Sequence, residues 1–260
     1  MFPVLHIGPL AIQAPGLFLL AGLWLGMSLT ERYSVQFGVK KAHLSDVIFW
    51  SVLVGLLAAR LTYAAQHPAA YLSAPLSLFA LDDAALTAWG GFAGAGLAAL
   101  VLAQRREIPR LALLDALTPL FAVLGAAIPL ANLASGNGYG IPTALPWGIP
   151  LWGATRHPVQ VYEFIAEVLI LMGVWPPSGD RSSRLDGRVF LRFAAFTAGA
   201  RLFLGVFRAD LPALVGGLRI AQVAAWGVLA VSLWGLNRPL SATQEGDETR
   251  QEPSPGQESP

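Results

Sequence analysis

Arginines embedded in apolar sequence are the residues of this chain best equipped for chemistry. Arg201 lies inside the apolar stretch 187–207, and Arg208 follows seven residues later. On a continuous helix that spacing puts both on one face. A charge in such surroundings is costly unless paired or wetted, so it marks a group facing a partner or a polar cavity. Guanidinium groups grip phosphate through forked hydrogen bonds. Other polar residues fall at the same level of the chain: Arg60 and Tyr63, Trp89 to Gly91, Asn132 to Gly140, Arg156, His157, Gln160, Tyr162, Glu163 and Gln222. Glu163 is the nearest carboxylate able to pair with one of these arginines. Together they suit an anionic lipid or other anionic substrate, without specifying a reaction. The competing reading is structural, with Arg201 pairing a carboxylate to hold helices together.

Seven apolar stretches have to position these groups. They run over 14–30, 46–64, 85–103, 110–134, 159–175, 187–207 and 215–236. Each approaches the ~20 residues a helix needs to cross a bilayer. Hydrophobic residues make up 55% of the chain and charged ones 13%, a balance foreign to soluble domains. The expected fold is all-α, a polytopic membrane protein with seven transmembrane helices spanning 1–238. Outer loops are expected at 65–84 and 135–158, with a disordered acidic cytoplasmic tail over 239–260. Basic residues set the orientation. Arg32, Lys40, Lys41, Arg105, Arg106, Arg110, Arg181, Arg184, Arg188, Arg238 and Arg250 fall in one set of alternate gaps, and only Arg156, Arg208 and Arg219 in the other. The richer side is cytoplasmic, which puts the N-terminus outside and the C-terminus inside. Arg201, thirteen residues beyond Arg188, then reaches about 20 Å deeper, into the outer half of the bilayer.

Several classes are excluded or disfavoured. The chain has no cysteine, so disulfides, thiolate metal sites and a cysteine nucleophile are absent. His6, His43, His67 and His157 show no pairing at helical spacing, so no metal site is expected. The basic clusters are topological retention signals and call for no nucleic acid. The first apolar stretch lacks a basic flank and a small-residue cleavage site, unlike a removable signal peptide. Gly22-x-x-x-Gly26 and Gly90-x-x-x-Gly94 are read as helix-packing pairs. Trp147, Trp152 and Trp175 are read as interfacial anchors. No span carries the paired mid-membrane breaks of a repeat-built transporter.

At these residues the chain resembles the prolipoprotein diacylglyceryl transferases, bacterial membrane enzymes with seven spans and an outside N-terminus. RHPVQVYE at 156–163 is similar to the family's RHP-x-QLYE. Asp115 and Pro119 also match in span four, and Asn132, Gly136 and Gly140 fall in register with the family's GRxGNFxN-GExxG signature. Arg201 to Arg208 is similar to RFxxEFxR, WGGFAG at 89–94 to HGGLxG, and Ala221-Gln222 to a Gly-Gln before the last span; Arg60 to Tyr63 also fits. The resemblance implies transfer of diacylglycerol from phosphatidylglycerol, or another anionic phospholipid, to the lipobox thiol at the signal-peptide region of a prolipoprotein. The reaction would run at the outer face of the bacterial plasma membrane, with no metal or organic cofactor. It implies catalytic roles for Arg201, Arg208 and Asn132. Substrate-binding roles would fall to Arg60, Tyr63, Gly140, Arg156, His157, Tyr162 and Gln222. The chain departs from the pattern at Trp89 for histidine, Pro129 for arginine, Ala131 for glycine, Ser135 for asparagine, and Asn137 and Gly205 for glutamate. Pro15 stands at the tyrosine position of span one. Those departures also admit a non-catalytic member that binds anionic lipid or lipoprotein precursor.

Overall fold

A computed structural model describes residues 4–7, 10–73, 86–175, 186–210 and 219–238. Among them a short antiparallel hairpin, β1 (Val4–Ile7) with β2 (Leu10–Gln13), precedes helix α1 (Ala14–Tyr33). There follow α2 (Lys41–Gln66), the short α3 (Pro68–Ser73), α4 (Ala88–Arg105) and α5 (Arg110–Ser135). A second hairpin, β3 (Ile149–Leu151) with β4 (Ala154–Arg156), leads to α6 (Val159–Val174), α7 (Arg188–Leu204) and α8 (Ile220–Leu236). The seven longer helices each overlap one apolar stretch of the sequence. Four segments, Ala14–Phe37, Lys41–Gln66, Arg110–Ser135 and Arg188–Phe207, are long and apolar enough to cross a membrane. The expected loop at 65–84 begins with the end of α2 and with α3. Its residues 74–84, and the tail over 239–260, lie outside the described residues.

Helix α5 organises the core. It is apolar around its whole circumference and buries residues from Ala112 to Ala131, as a helix without a polar face must. Helix α1 packs antiparallel on it, with Gly22 against Ala127 and Gly26 against Leu120. A Cβ on Gly26 would lie 2.7 Å from Leu120 Cδ1 and 3.2 Å from its Cα, which marks a close approach of the two helices. Helices α2 and α4 form their own antiparallel pair, with Gly55 against Ala95, Gly94 against Ala58 and Gly90 against Thr62. Both glycine pairs singled out in the sequence thus serve close helix contact. Helix α6 packs on α5 and α7, and α8 on α7.

The two ends of the bundle are fastened differently. At the end rich in basic residues, Arg106 pairs with Asp46 at 2.7 Å and Lys41 with Glu31 at 3.1 Å. Arg188 donates to the carbonyls of Leu236 and Arg238, closing the C-terminus of α8. Asp115, fully buried on α5, accepts from the backbone N–H groups of Gly187 and Phe190 and so caps α7.

At the opposite end the backbone itself makes the connection. Gly136, at φ +82°, ends α5 in the left-handed conformation that glycine adopts without strain. The chain then runs antiparallel to two other segments. Ile141 N–H donates to Phe207 and Ala209 N–H to Tyr139, while His157 N–H donates to Ile141 and Thr143 N–H to Thr155. With β3 alongside β4, this makes a four-segment ribbon at 207–209, 139–143, 154–157 and 149–151. Positive φ at Trp152 and Gly153 closes its hairpin as a two-residue turn whose twist matches the strands. The stretch read as an irregular loop over 135–158 is therefore a paired one, because a single turn dipeptide sets its register.

The single-face placement of Arg201 and Arg208 is also corrected. Helix α7 stops at Leu204, tightens into a 3₁₀ turn over Gly205–Phe207, and Arg208 is extended. Pairing with the 139–141 segment removes the last residues from the helix, so Arg208 leaves its axis.

Candidate functional site

The ribbon delivers Arg208 to the flank of α6, where its guanidinium is fully engaged. Nη1 donates to Glu163 Oε1 at 2.9 Å, Nε to Asp210 Oδ1 at 2.9 Å, and Nη2 to Asp210 Oδ2 at 2.7 Å. The Asp210 contact is the bidentate fork that guanidinium makes with carboxylate. The pair with Glu163 is sheltered, with side chains 12% and 8% exposed. Burial alone would lower the pKa of Arg208, but Asp210 and Glu163 outweigh it and hold it above the ordinary arginine value. Asn132 stands beside this group. A Cβ placed on Gly138 would lie 3.4 Å from Asn132 Nδ2 and 3.5 Å from Arg208 Nη2.

The RHP segment continues the same cluster. Arg156 spends two donors on main-chain carbonyls, Nε on Leu151 at 3.0 Å and Nη1 on Gly140 at 3.2 Å, with its guanidinium over the Tyr139 ring. Gly140 itself is packed so tightly that a Cβ would meet His157 O and, at 2.8 Å, Val159 Cγ2. Tyr162 accepts from Trp147 Nε1 at 2.8 Å and lies 3.5 Å from His157 Nδ1, whose ring packs on Phe207. Gln160 is fully buried and donates to Asn137 O at 2.7 Å, while no described residue donates to its Oε1.

Arg201 differs from Arg208. It is exposed on α7 and forms no ion pair among the described residues. It borders a narrow crevice with Glu163, Ala166, Glu167, Ala200 and Leu204, with room for about one water molecule. Glu163 therefore belongs to both places: it lines the crevice of Arg201 and holds Arg208. Gln222 lies further along, where its Oε1 accepts from Arg219 N–H at 3.2 Å. Arg219 donates through Nη1 to the carbonyl of Gly205, joining the start of α8 to the end of α7.

Two candidates fall elsewhere. Arg60 and Tyr63 lie on α2, within the α2–α4 pair that also carries Trp89. Tyr63 stacks on His67 at 4.3 Å and packs edge-on to Tyr71. The structure thus gathers Asn132, Gly140, Arg156, His157, Tyr162 and Arg208 around α6, adds Arg201 through Glu163, and leaves Arg60 and Tyr63 on another helix pair.

Sequence reasoning overlooked Asp210, Arg219, Glu167 and Thr197. Glu167 is 3% exposed, one helical turn beyond Glu163, and accepts from Thr197 Oγ1 at 3.3 Å. Two carboxylates four apart in an apolar stretch share one helix face, a spacing that could have flagged it.

A family model described as prolipoprotein diacylglyceryl transferase matches residues 3–238. Among similar curated proteins are three phosphatidylglycerol–prolipoprotein diacylglyceryl transferases. That of Cupriavidus metallidurans is 34% identical, over 92% of this chain and 94% of its own length. That of Methylocella silvestris is 33% identical, over 88% and 90%. That of Synechococcus elongatus is 29% identical, over 91% and 89%.

Proposed function

We infer the function from one premise: this chain belongs to the prolipoprotein diacylglyceryl transferase family. It is an enzyme that transfers diacylglycerol from phosphatidylglycerol to the cysteine thiol of a prolipoprotein. The protein is a membrane protein. In the finer reading, all seven long helices span the bacterial plasma membrane, with the N-terminus outside and the chemistry at the outer face. The segregation of basic residues to one end of the bundle supports that orientation. The absence of cysteine makes it directly testable. Single cysteines introduced at Ser135 and at Gln104 should react with impermeant reagents from outside and inside the cell, respectively, and the reverse pattern would overturn the orientation.

The observation that carries the reading is the contrast between the two arginines. Each guanidinium nitrogen of Arg208 is bonded to a carboxylate, whereas Arg201, at the mouth of a crevice, makes no ion pair among the described residues. Arg201 is accordingly the residue that engages the lipid phosphate and the charge building on the leaving group. Arg208 fixes Glu163 and the ribbon, with Asn132 at its side. Gly140, Arg156, His157 and Tyr162 hold the wall on which the substrate rests, and Gln222 sets the start of α8. Arg60 and Tyr63 are read as lipid contacts supplied by the α2–α4 pair. The crevice must widen to accept a phosphate, since at rest it has room for little more than water.

The test is reconstitution with phosphatidylglycerol vesicles and a lipobox peptide, reading the thioether product by mass spectrometry. Product formation abolished by Arg201→Ala supports the reading. Lipid binding without product would leave a binding protein in its place.

A further inference from the structure

Transfer to a thiol releases a proton, and Trp89, which stands where the resemblance expects a histidine, has no basic nitrogen to take it. We propose that Glu167 accepts that proton; the proposal rests on the transferase reading above. Its carboxylate is held by three helices at once. Oε2 accepts from Thr197 on α7, and Gly125 on α5 leaves the space the group occupies, since a Cβ there would lie 2.9 Å from Oε2. No described residue donates to Oε1. The crevice that Glu167 lines is shared with Arg201, whose cation is the counter-charge for a carboxylate at this depth.

The other candidate bases, one in the crevice and one in the RHP segment, are engaged. Glu163 is paired with Arg208 at 2.9 Å. His157 packs on Phe207 and faces the Tyr162 hydroxyl. Glu167 combines an uncommitted oxygen with a position beside the arginine assigned to the phosphate. A thiol brought to Arg201's lipid comes within reach of it, directly or through one water.

The step balances without a further reactant. The S–H proton passes to a Glu167 oxygen, and the thiolate attacks the glyceryl carbon bearing the phosphate. The C–S bond forms as the C–O bond breaks, and its electron pair leaves on the phosphate oxygen of glycerol phosphate beside Arg201. Glu167 then returns the proton to the departing phosphate or to water.

The test uses the full chain in phosphatidylglycerol vesicles with a lipobox peptide, comparing wild type with Glu167→Gln from pH 6 to pH 9.5. Glutamine keeps the shape and can still accept from Thr197. The expected result is a kcat about 100-fold lower near pH 7, with the peptide KM within about twofold. The deficit should shrink as the thiol ionises by itself around pH ~8.5. Thr197→Val, which removes the orienting donor, should give a smaller deficit of the same pH dependence, and it serves alone if Glu167→Gln does not fold. A glutamine variant with half the wild-type rate, or a deficit constant across pH, would overturn the proposal. Wild type yielding no thioether would instead sink the transferase reading, and this inference with it.

Discussion

Asp115 accepts a 2.8 Å hydrogen bond from the backbone N–H of Phe190, seventy-five residues away in sequence. With its second oxygen on Gly187 N–H, it caps the helix that carries Arg201 and leads through a turn to Arg208. The helix carrying Arg201 is thereby anchored to the core helix at its far end. Asp115→Ala should lower stability by about 2 kcal/mol, the loss of a cap made worse by stranded donors. Asp115→Asn, which keeps one acceptor, should lose less. Thermal unfolding in detergent checks the order.

Arg208 presents the opposite situation, a cation between two carboxylates. Arg208→Ala leaves Glu163 sheltered without its partner, and removing one member of such a pair costs about 3–5 kcal/mol. Glu163→Gln in the same chain should recover part of that loss. A double-mutant cycle on unfolding temperature would show the coupling; simple additivity would mean that the pair carries no energy of its own.

Arg201 should separate from Arg208 by readout. Because it makes no ion pair among the described residues and only borders Glu167 across the crevice, Arg201→Ala should lower the unfolding temperature less than Arg208→Ala does. Thioether formation should nevertheless fall by about 10²–10³-fold, the scale of losing one donor to developing charge. Comparable losses of stability in both arginine variants would contradict this division.

Gly140 is a packing requirement at the crossing of the ribbon and the RHP segment. Gly140→Ala drives a methyl into His157 O and Val159 Cγ2, an overpacking cost of about 1–3 kcal/mol. Asp46→Ala, at an ion pair whose side chains are 42% and 44% exposed, should change stability by less than about 1 kcal/mol. Unfolding temperatures of the two variants, measured together, test the contrast.

The helices were legible because hydropathy reports them directly: each apolar stretch of the sequence coincides with a long helix. The RHP segment and Asn132 were legible as parts of one cluster, and Glu163 as an arginine partner. Arg208's departure from the helix was not, since helical spacing says nothing about where the helix ends. That end is decided by main-chain pairing of Phe207 with Ile141, sixty-six residues earlier, which no local sequence pattern reports. Asp115 read only as a matched position, because its partners are backbone N–H groups and leave no side-chain signature. Glu167 was passed over inside an apolar run although its four-residue offset from Glu163 was visible.

The ribbon joining residues 139–143 to 154–157 and 207–209 is written in peptide groups, which every residue type except proline supplies in full. Side chains along it, the tightly packed Gly140 apart, can therefore be exchanged while the course of the chain is preserved. Such a scaffold lets descent rewrite the chemistry at its rim without redrawing the frame.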